Sequence, residues 1–529
     1  MKGLLTSIIT VLTFTGLQAQ TVPASPKLIV GITVDQLRTD YIEAFSTLYG
    51  DKGFKRIWKE GKVFRNAQHQ FANPDRSSAI AAIYTGTTPA VNGIVGNIWL
   101  DASTLRPVEC VEDSEFMGYN TAEYSSAAKL LTSTITDELK IATQGKGLVY
   151  AIAPFRDAAV ISAGHAADGA FWINDITGKW CSSTYYSEFP WWVSQYNDRK
   201  AVDFRITEMT WEPLLPTESY TYITAEGAKE AFKHKFDDAR RNKFKRFITS
   251  PFVNDEVNQL VDECLRNSSI GVDRIPDFLS VTYYAGNFNR QSIQEYPLEI
   301  QDTYIRLDQS IAKLLDLLDA KVGLSNVLLF ITSTGYTDSD SPDLKRYRVP
   351  GGDFHLNRCA ALLNMYLMAT YGEGQYVEAY HNQQIYLDHK LIEQKQLNLV
   401  EIQNKSADFL IQFSGVNEVY SAHRLLLGAW TPEIHKIRNS FNRKHSGDLV
   451  IDVLPGWTIV DENSTTNQVV RNTHTPMPLV FMGSHVKPEI IHEPTNVDHI
   501  APTLAYFMRI RAPNASRATP LTDLRETSK

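Results

Sequence analysis

Cysteine is scarce. The chain of 529 residues has four, Cys110, Cys181, Cys264 and Cys359, far apart and never as Cys-x-x-Cys. That spacing excludes a zinc knuckle. Four cysteines allow three disulfide pairings, and sequence does not choose between these and free thiols. An excess of positive charge is also missing. Lys plus Arg number 52 and Asp plus Glu 60, a net charge of −8, which argues against the basic face that non-specific nucleic-acid binding needs. There are no internal repeats and no low-complexity segment. At 43% hydrophobic and 21% charged residues the composition is that of a globular protein, not of a disordered one.

Long apolar runs are absent beyond the first twenty residues. Met1-Lys2 supplies a positive start, Gly3 to Leu17 is mostly apolar, and Gln18-Ala19-Gln20 is a small-residue exit. Residues 1–20 therefore read as a signal peptide, because the stretch is shorter than the ~20 residues a bilayer span requires. No Cys follows it, so a lipoprotein is not expected. The mature chain is expected to be exported, periplasmic or secreted, with no membrane span after cleavage.

Short, continuously apolar runs recur between helical stretches: Lys27 to Val34, Gly147 to Ile152, Phe278 to Thr282, Asn326 to Ser333 and Pro478 to Met482. Runs without alternation suggest strands buried on both faces, as in a mainly parallel sheet covered by helices. Gln301 to Lys321 has apolar residues at three- and four-residue steps. Leu37 to Trp58 and Ser77 to Tyr84 read as helices that follow strands. The expected fold is a doubly wound, mainly parallel α/β sheet. Residues 375–460 break this rhythm. Gln384 to Leu387 reads as an edge strand, Asn404 to Phe413 as a helix, and Glu418 to His423 and Asp448 to Val453 as further strands. This segment is expected to be an inserted α+β subdomain, with the core formed by residues 21–374 and 461–529. Phe171 to Tyr220, rich in Trp, Tyr and Pro, is expected to be a long packed loop region.

In an open parallel sheet the site lies beyond the carboxyl ends of the strands. The first strand ends on Asp35, which suits a metal ligand or general base, although most such Asp residues are caps or ion-pair partners. Val34-Asp35-Gln36, Ile83-Tyr-Thr-Gly86 and Asn92-Gly-Ile-Val-Gly-Asn97 resemble the opening of the alkaline phosphatase superfamily, in its type I phosphodiesterase/nucleotide pyrophosphatase branch. Within that branch the chain is most similar to bacterial periplasmic alkaline phosphatases. Ala163-Gly-His165, Gly169-Ala-Phe-Trp172, Ser183-Thr-Tyr-Tyr186, Asp302 to Asp308, Ser446-Gly-Asp448, Phe481-Met-Gly483 and Ile500-Ala-Pro-Thr503 continue it in order.

The resemblance implies two zinc ions held by Asp and His, with a Thr or Ser nucleophile between them. Carried over position by position, only Asp35 keeps a zinc ligand. The other ligand positions fall on Tyr283, Asn287, Thr334, Gly335 and Asn467, and zinc wants thiolate, imidazole or carboxylate. The nucleophile position falls on Arg76, with Ser77 beside it. The Lys and Arg that contact phosphate in the most similar branch fall on Phe155 and Asp157. Asn97, an oxyanion contact in the family, is kept. Arg76 is expected either to pair with Asp35, filling the role of the absent cations, or to point to solvent.

These replacements lead to the expectation of a catalytically inactive family member without metal, binding an unidentified protein partner or a small anion through Asp35, Arg76 and Asn97. The alternative is an active phosphatase or phosphodiesterase that uses Ser77 and unrecognised ligands. Asp338, Asp340 and Asp343 are expected to be a solvated turn rather than a calcium loop. His355, His445, His474 and His499 are scattered. There is no Gly-x-Ser-x-Gly elbow for a serine hydrolase. Trp172, Trp180, Trp191 and Trp192 are expected to pack.

Overall fold

The computed structural model describes residues 25–186, 188–220, 231–236, 242–290, 297–337, 350–460, 468–470 and 475–524. The signal-peptide reading, Asn467, His474 and the Asp338 to Asp343 turn lie outside them.

Leu28–Asp35 (β1) is buried along its whole length, as its unbroken apolar run requires. It is a central strand of an eleven-stranded sheet. The other strands needed to follow its path are Lys62–Gln68 (β2), Gly118–Tyr119 (β3), Val149–Ile152 (β4), Gly169–Ile173 (β5), Trp180–Ser183 (β6), Asp277–Tyr284 (β7) and Val327–Ser333 (β8). In the second unit Val377–His381 (β9), Gln384–Leu387 (β10), Val416–Ser421 (β11) and Leu449–Val453 (β12) follow, and Met477–Gly483 (β13) and Glu489–Ile491 (β14) return to the main sheet. The main sheet runs in the order β14-β2-β13-β8-β1-β7-β4-β5-β6-β3, and its eleventh strand, Thr495–Asn496, also pairs with β2. β1 runs parallel to β7 and β8, and β4 parallel to β7 and β5. β13 enters antiparallel between β8 and β2.

Each face of the sheet carries its own core. On one face Leu28, Val30, Ile32 and Val34 pack with helices Phe252–Asn267 and Pro297–Lys321. On the other, Ile29 and Phe330 meet Arg76–Thr85 (α1), Arg156–Ala163 (α2) and Ile500–Met508 (α3). The pleat of β1 alternates faces, so Asp35 falls on the side of Ile29, Gly31 and Thr33, which is the side of α1. Gly31 is glycine because a Cβ there would meet the Tyr84 hydroxyl at 2.7 Å and the Phe330 ring at 2.8 Å.

A separate core runs from Phe354 to Ile459. It covers a four-stranded antiparallel sheet, β9-β10-β12-β11, packed with Leu356–Tyr371 and Leu399–Leu410. Gln384–Leu387 is thus an interior strand, not an edge. Its outer neighbour Val377–His381 is buried only at Val377 and carries Glu378 and His381 among its five residues, so it lacks the continuous apolar run that marked the other strands.

Two other expectations change. The helix read from Leu37 to Trp58 is three pieces, Thr39–Ala44, Ser46–Leu48 and Phe54–Glu60. Between them Asp308 accepts from the amides of Gly50 (3.0 Å) and Phe54 (2.7 Å), and Gly53 approaches it more closely than any side chain would allow. The aromatic stretch after Phe171 is not a loop. β5 and β6 form a hairpin across Asn174 to Gly178, where the Asn174 side chain accepts from the amides of Ile176 and Thr177, and Trp191–Arg199 is a helix. Trp172, Trp180 and Trp192 are buried, while Trp191 is exposed. All four cysteines are free and buried. Among the described residues no helix is long and apolar enough to cross a membrane.

Candidate functional site

The site forms where β1 and β8 end and α1 and α2 begin. Asp75 caps α1, its carboxylate accepting from the Ser78 amide at 2.9 Å, and Gly86 ends the helix in the left-handed region. Such a cap fixes the first turn, and with it Arg76 and Ser77. The other Asp75 oxygen accepts from the Asn97 amide at 2.6 Å, which ties the Asn92 to Asn97 loop to the same turn.

Arg76 makes a two-pronged ion pair with Asp157 in the first turn of α2. Nε donates to Asp157 Oδ2 at 2.9 Å and Nη2 to Oδ1 at 2.9 Å. Nη1 faces Asp35 Oδ2 at 3.4 Å. The guanidinium carbon lies 3.8 Å from the centroid of the Phe155 ring. The pairing with Asp35 is present, but Asp157, which the sequence did not mark as a partner, takes the better geometry. An arginine at the first position of a helix opposes the helix dipole, whereas an aspartate in a first turn is favoured by it. Packing α1 against α2 sets these two termini side by side and offsets the first with the second.

The two carboxylates respond differently. Burial pushes the Asp157 carboxyl up, but the Arg76 guanidinium and hydrogen bonds outweigh it and hold the group below its ordinary value. Burial also pushes Asp35 up, and there the more distant guanidinium and the Thr334 hydroxyl do not compensate. Asp35 is fully buried. Its Oδ1 accepts from Thr334 at 2.9 Å and its Oδ2 from Tyr336 at 3.3 Å.

Ser77 is fully buried. Its hydroxyl donates to Asp157 Oδ2 at 2.8 Å and lies 3.2 Å from the Asn97 side-chain oxygen. The Cys110 thiol, pushed up by burial, donates to Ser77 Oγ at 3.4 Å. In front of this group opens a cleft of about 400 Å³ between the main sheet and the second unit. Arg76, Asn97, Arg290 and Tyr336 line it on one side, and His381, Gln384 and Tyr386 on the other.

The remaining ligand positions do not assemble here. Tyr283 pairs in register with Val34, not Asp35. The pleat therefore sends it to the opposite face, where its hydroxyl donates to Asn258 at 2.5 Å. The expectation that it joins Asp35 fails on that alternation. Asn287 borders a separate small cavity beside Gln36 and Tyr304, where its carbonyl accepts from Tyr284. Gly335 adopts the left-handed region at φ 74°, and a Cβ there would press on Met477 and His69. His69, unmarked in the sequence, lies with Nε2 3.0 Å from the Thr334 carbonyl. His445 stacks on Trp99, and His499 lies against the Thr519 carbonyl. Among the described residues no group of three or more His, Cys, Asp or Glu is placed to hold a metal. A pair of zinc ions does not fit these donors. Hydroxyls, at Tyr283 and Thr334, stand at the carboxylate positions, an amide and a glycine, at Asn287 and Gly335, stand at imidazole positions, and both Asp35 oxygens already accept.

Comparison with known proteins places the chain. Residues 29–477 match the family described as type I phosphodiesterase / nucleotide pyrophosphatase. The chain is 30% identical to alkaline phosphatase PafA of Elizabethkingia meningoseptica over 542 residues, covering 99% of each. It is 30% identical to alkaline phosphatase PhoV of Synechococcus elongatus, covering 95% of this chain and 93% of the relative. Its structure matches crystalline wild-type PafA with a TM-score of 0.84 at 28% identity, covering 96% of this chain and all of that one. The likeness overturns the expectation of a catalytically inactive binding or scaffold protein. Relatives that align end to end are named as enzymes, and lost ligands were too narrow a basis against that.

Proposed function

The chain belongs to the type I phosphodiesterase/nucleotide pyrophosphatase family, and from that premise we propose that it hydrolyses phosphoric esters at the N-terminus of α1, with Ser77 as nucleophile. The observation that carries this reading is the hydrogen bond from the Ser77 hydroxyl to Asp157, next to a cleft lined by two arginines. Hydroxyl, carboxylate and guanidinium are the groups that phosphoryl transfer draws on.

Ser77 sits behind a closed pair, and the substrate's charge supplies the means of opening it. A phosphoryl group entering the cleft competes with Asp157 for the Arg76 fork, because guanidinium binds phosphate as it binds carboxylate. Asp157, relieved of Arg76, becomes a stronger base. The Ser77 oxygen then attacks phosphorus, its proton passes to Asp157, and the ester oxygen leaves. Water attacks the phosphoserine to restore the hydroxyl and release phosphate. Asn97 lines the cleft where it can contact the phosphoryl oxygens. An alkoxide activated only by a carboxylate forms less readily than one held by metal, so slow turnover is expected. Export rests on the charged start and apolar run of residues 1–20 and is part of the same proposal.

The test is hydrolysis of p-nitrophenyl phosphate and bis-p-nitrophenyl phosphate by the purified chain. Turnover that Ser77→Ala abolishes supports the reading. Hydrolysis of neither ester, or a rate that Ser77→Ala leaves unchanged, overturns it.

A further inference from the structure

A guanidinium stands at the position to which the resemblance assigns the metal-bound nucleophile, and its neighbours are arranged around it. Arg76 grips Asp157 with two nitrogens, turns the third toward Asp35 and sits over the Phe155 ring. We infer that Arg76 is this protein's resident cation, completing the charge of the site so that neither the fold nor the cleft takes up a divalent metal. The inference concerns the centre used in the phosphoester reading, but it needs no turnover.

The donors around Asp35 point this way. Thr334 and Tyr336 approach it as hydrogen-bond donors, so a metal at Asp35 would displace them and then meet neutral hydroxyls, which are poor zinc ligands. It would also meet Arg76. Two cations on one buried carboxylate repel strongly at low dielectric. The second observation is a reciprocal exchange. The resemblance assigns a nucleophile to the position of Arg76 and a phosphate-contacting arginine to that of Asp157. Here the cation sits at the first position and the anion at the second, and the two bond to each other. Either change alone would bury an unpaired charge, whereas together they cancel. Phe155, at the position assigned to a lysine, supplies a ring face that favours one flat cation.

The test uses the purified full-length chain. After dialysis without chelator, metal analysis is expected to find well under one zinc, manganese or other divalent ion per chain. Thermal unfolding is expected to give one midpoint, within about 1 °C, in buffer, in EDTA and in added zinc, because a bound ion would stabilise the fold by mass action. Arg76→Met is expected to lower the midpoint by several degrees, and Asp157→Asn added to it to recover part of the loss. One or more ions per chain after dialysis, a midpoint that falls in EDTA, or an Arg76→Met midpoint equal to wild type overturns the inference. If Arg76→Met does not fold, the metal content and EDTA arms on the unmodified chain decide. Ester turnover lost in EDTA and restored by zinc overturns this inference and leaves the phosphoester reading intact. No turnover under any condition, with metal-free chain and an EDTA-insensitive midpoint, does the reverse.

Discussion

From Leu28 to Val34, β1 is a fully buried strand whose every residue has a partner in β7 and β8. One residue further on, Asp35 is equally buried, yet it is held by three groups from two distant places in the chain, Arg76 and the stretch that carries Thr334 and Tyr336. The interior of the sheet is bound by apolar packing and backbone ladders, where a side chain's class matters more than its identity. The rim is bound by charge, where each group is tolerable only while its partner stays. That contrast fits a chain that keeps the architecture of PafA, at a TM-score of 0.84, at only 28% sequence identity. A sheet interior changes by small, separable steps, but a buried ion pair has to change in two places at once.

The sharpest probe of the contrast is Asp157→Asn. It leaves Arg76 buried with only the longer contact to Asp35, and is expected to cost about 3–5 kcal/mol in urea unfolding. A loss below about 1 kcal/mol would show that the rim is no more tightly coupled than an exposed surface. Gly31→Ala probes the interior instead. Its methyl would press on Tyr84 and Phe330, and overpacking of this kind costs about 1–3 kcal/mol.

The pH dependence of stability separates the carboxylates. Asp157 is held low, so its contribution is present above the unfolded value of about 3.9 and is lost as pH falls through its folded value. Between pH 5 and 3 the unmodified chain is therefore expected to lose more stability than Asp157→Asn does. Asp35 is pushed up, so its penalty grows as pH rises through its folded value and is relieved on acidification. The smallest effect follows from that sign. Asp35→Asn keeps an acceptor for Thr334 and removes the buried charge, so its urea midpoint at neutral pH is expected to rise, by less than about 1 kcal/mol in stability. A clear fall would mean that Arg76 depends on Asp35 as much as on Asp157.

Sequence by itself determined the class of fold, because a strand buried on both faces must be apolar throughout and an amphipathic helix must repeat near every 3.6 residues. It also marked Asp35 as an acid at a strand end, while the resemblance to the phosphodiesterase branch brought Arg76, Ser77 and Asn97 onto the same short list. Local signals did not extend to the strand at Val377, whose pairing is supplied by neighbours, or to the helix broken where Asp308 reaches across to Gly50. Only the tertiary structure decided which charges meet. Arg76 and Asp157 stand 81 positions apart, and packing of α1 on α2 makes them partners, while the pleat of one strand keeps Tyr283 away from Asp35. Periodicity is written along the chain, but the pairing of a buried charge depends on distance and face, which come only with the fold.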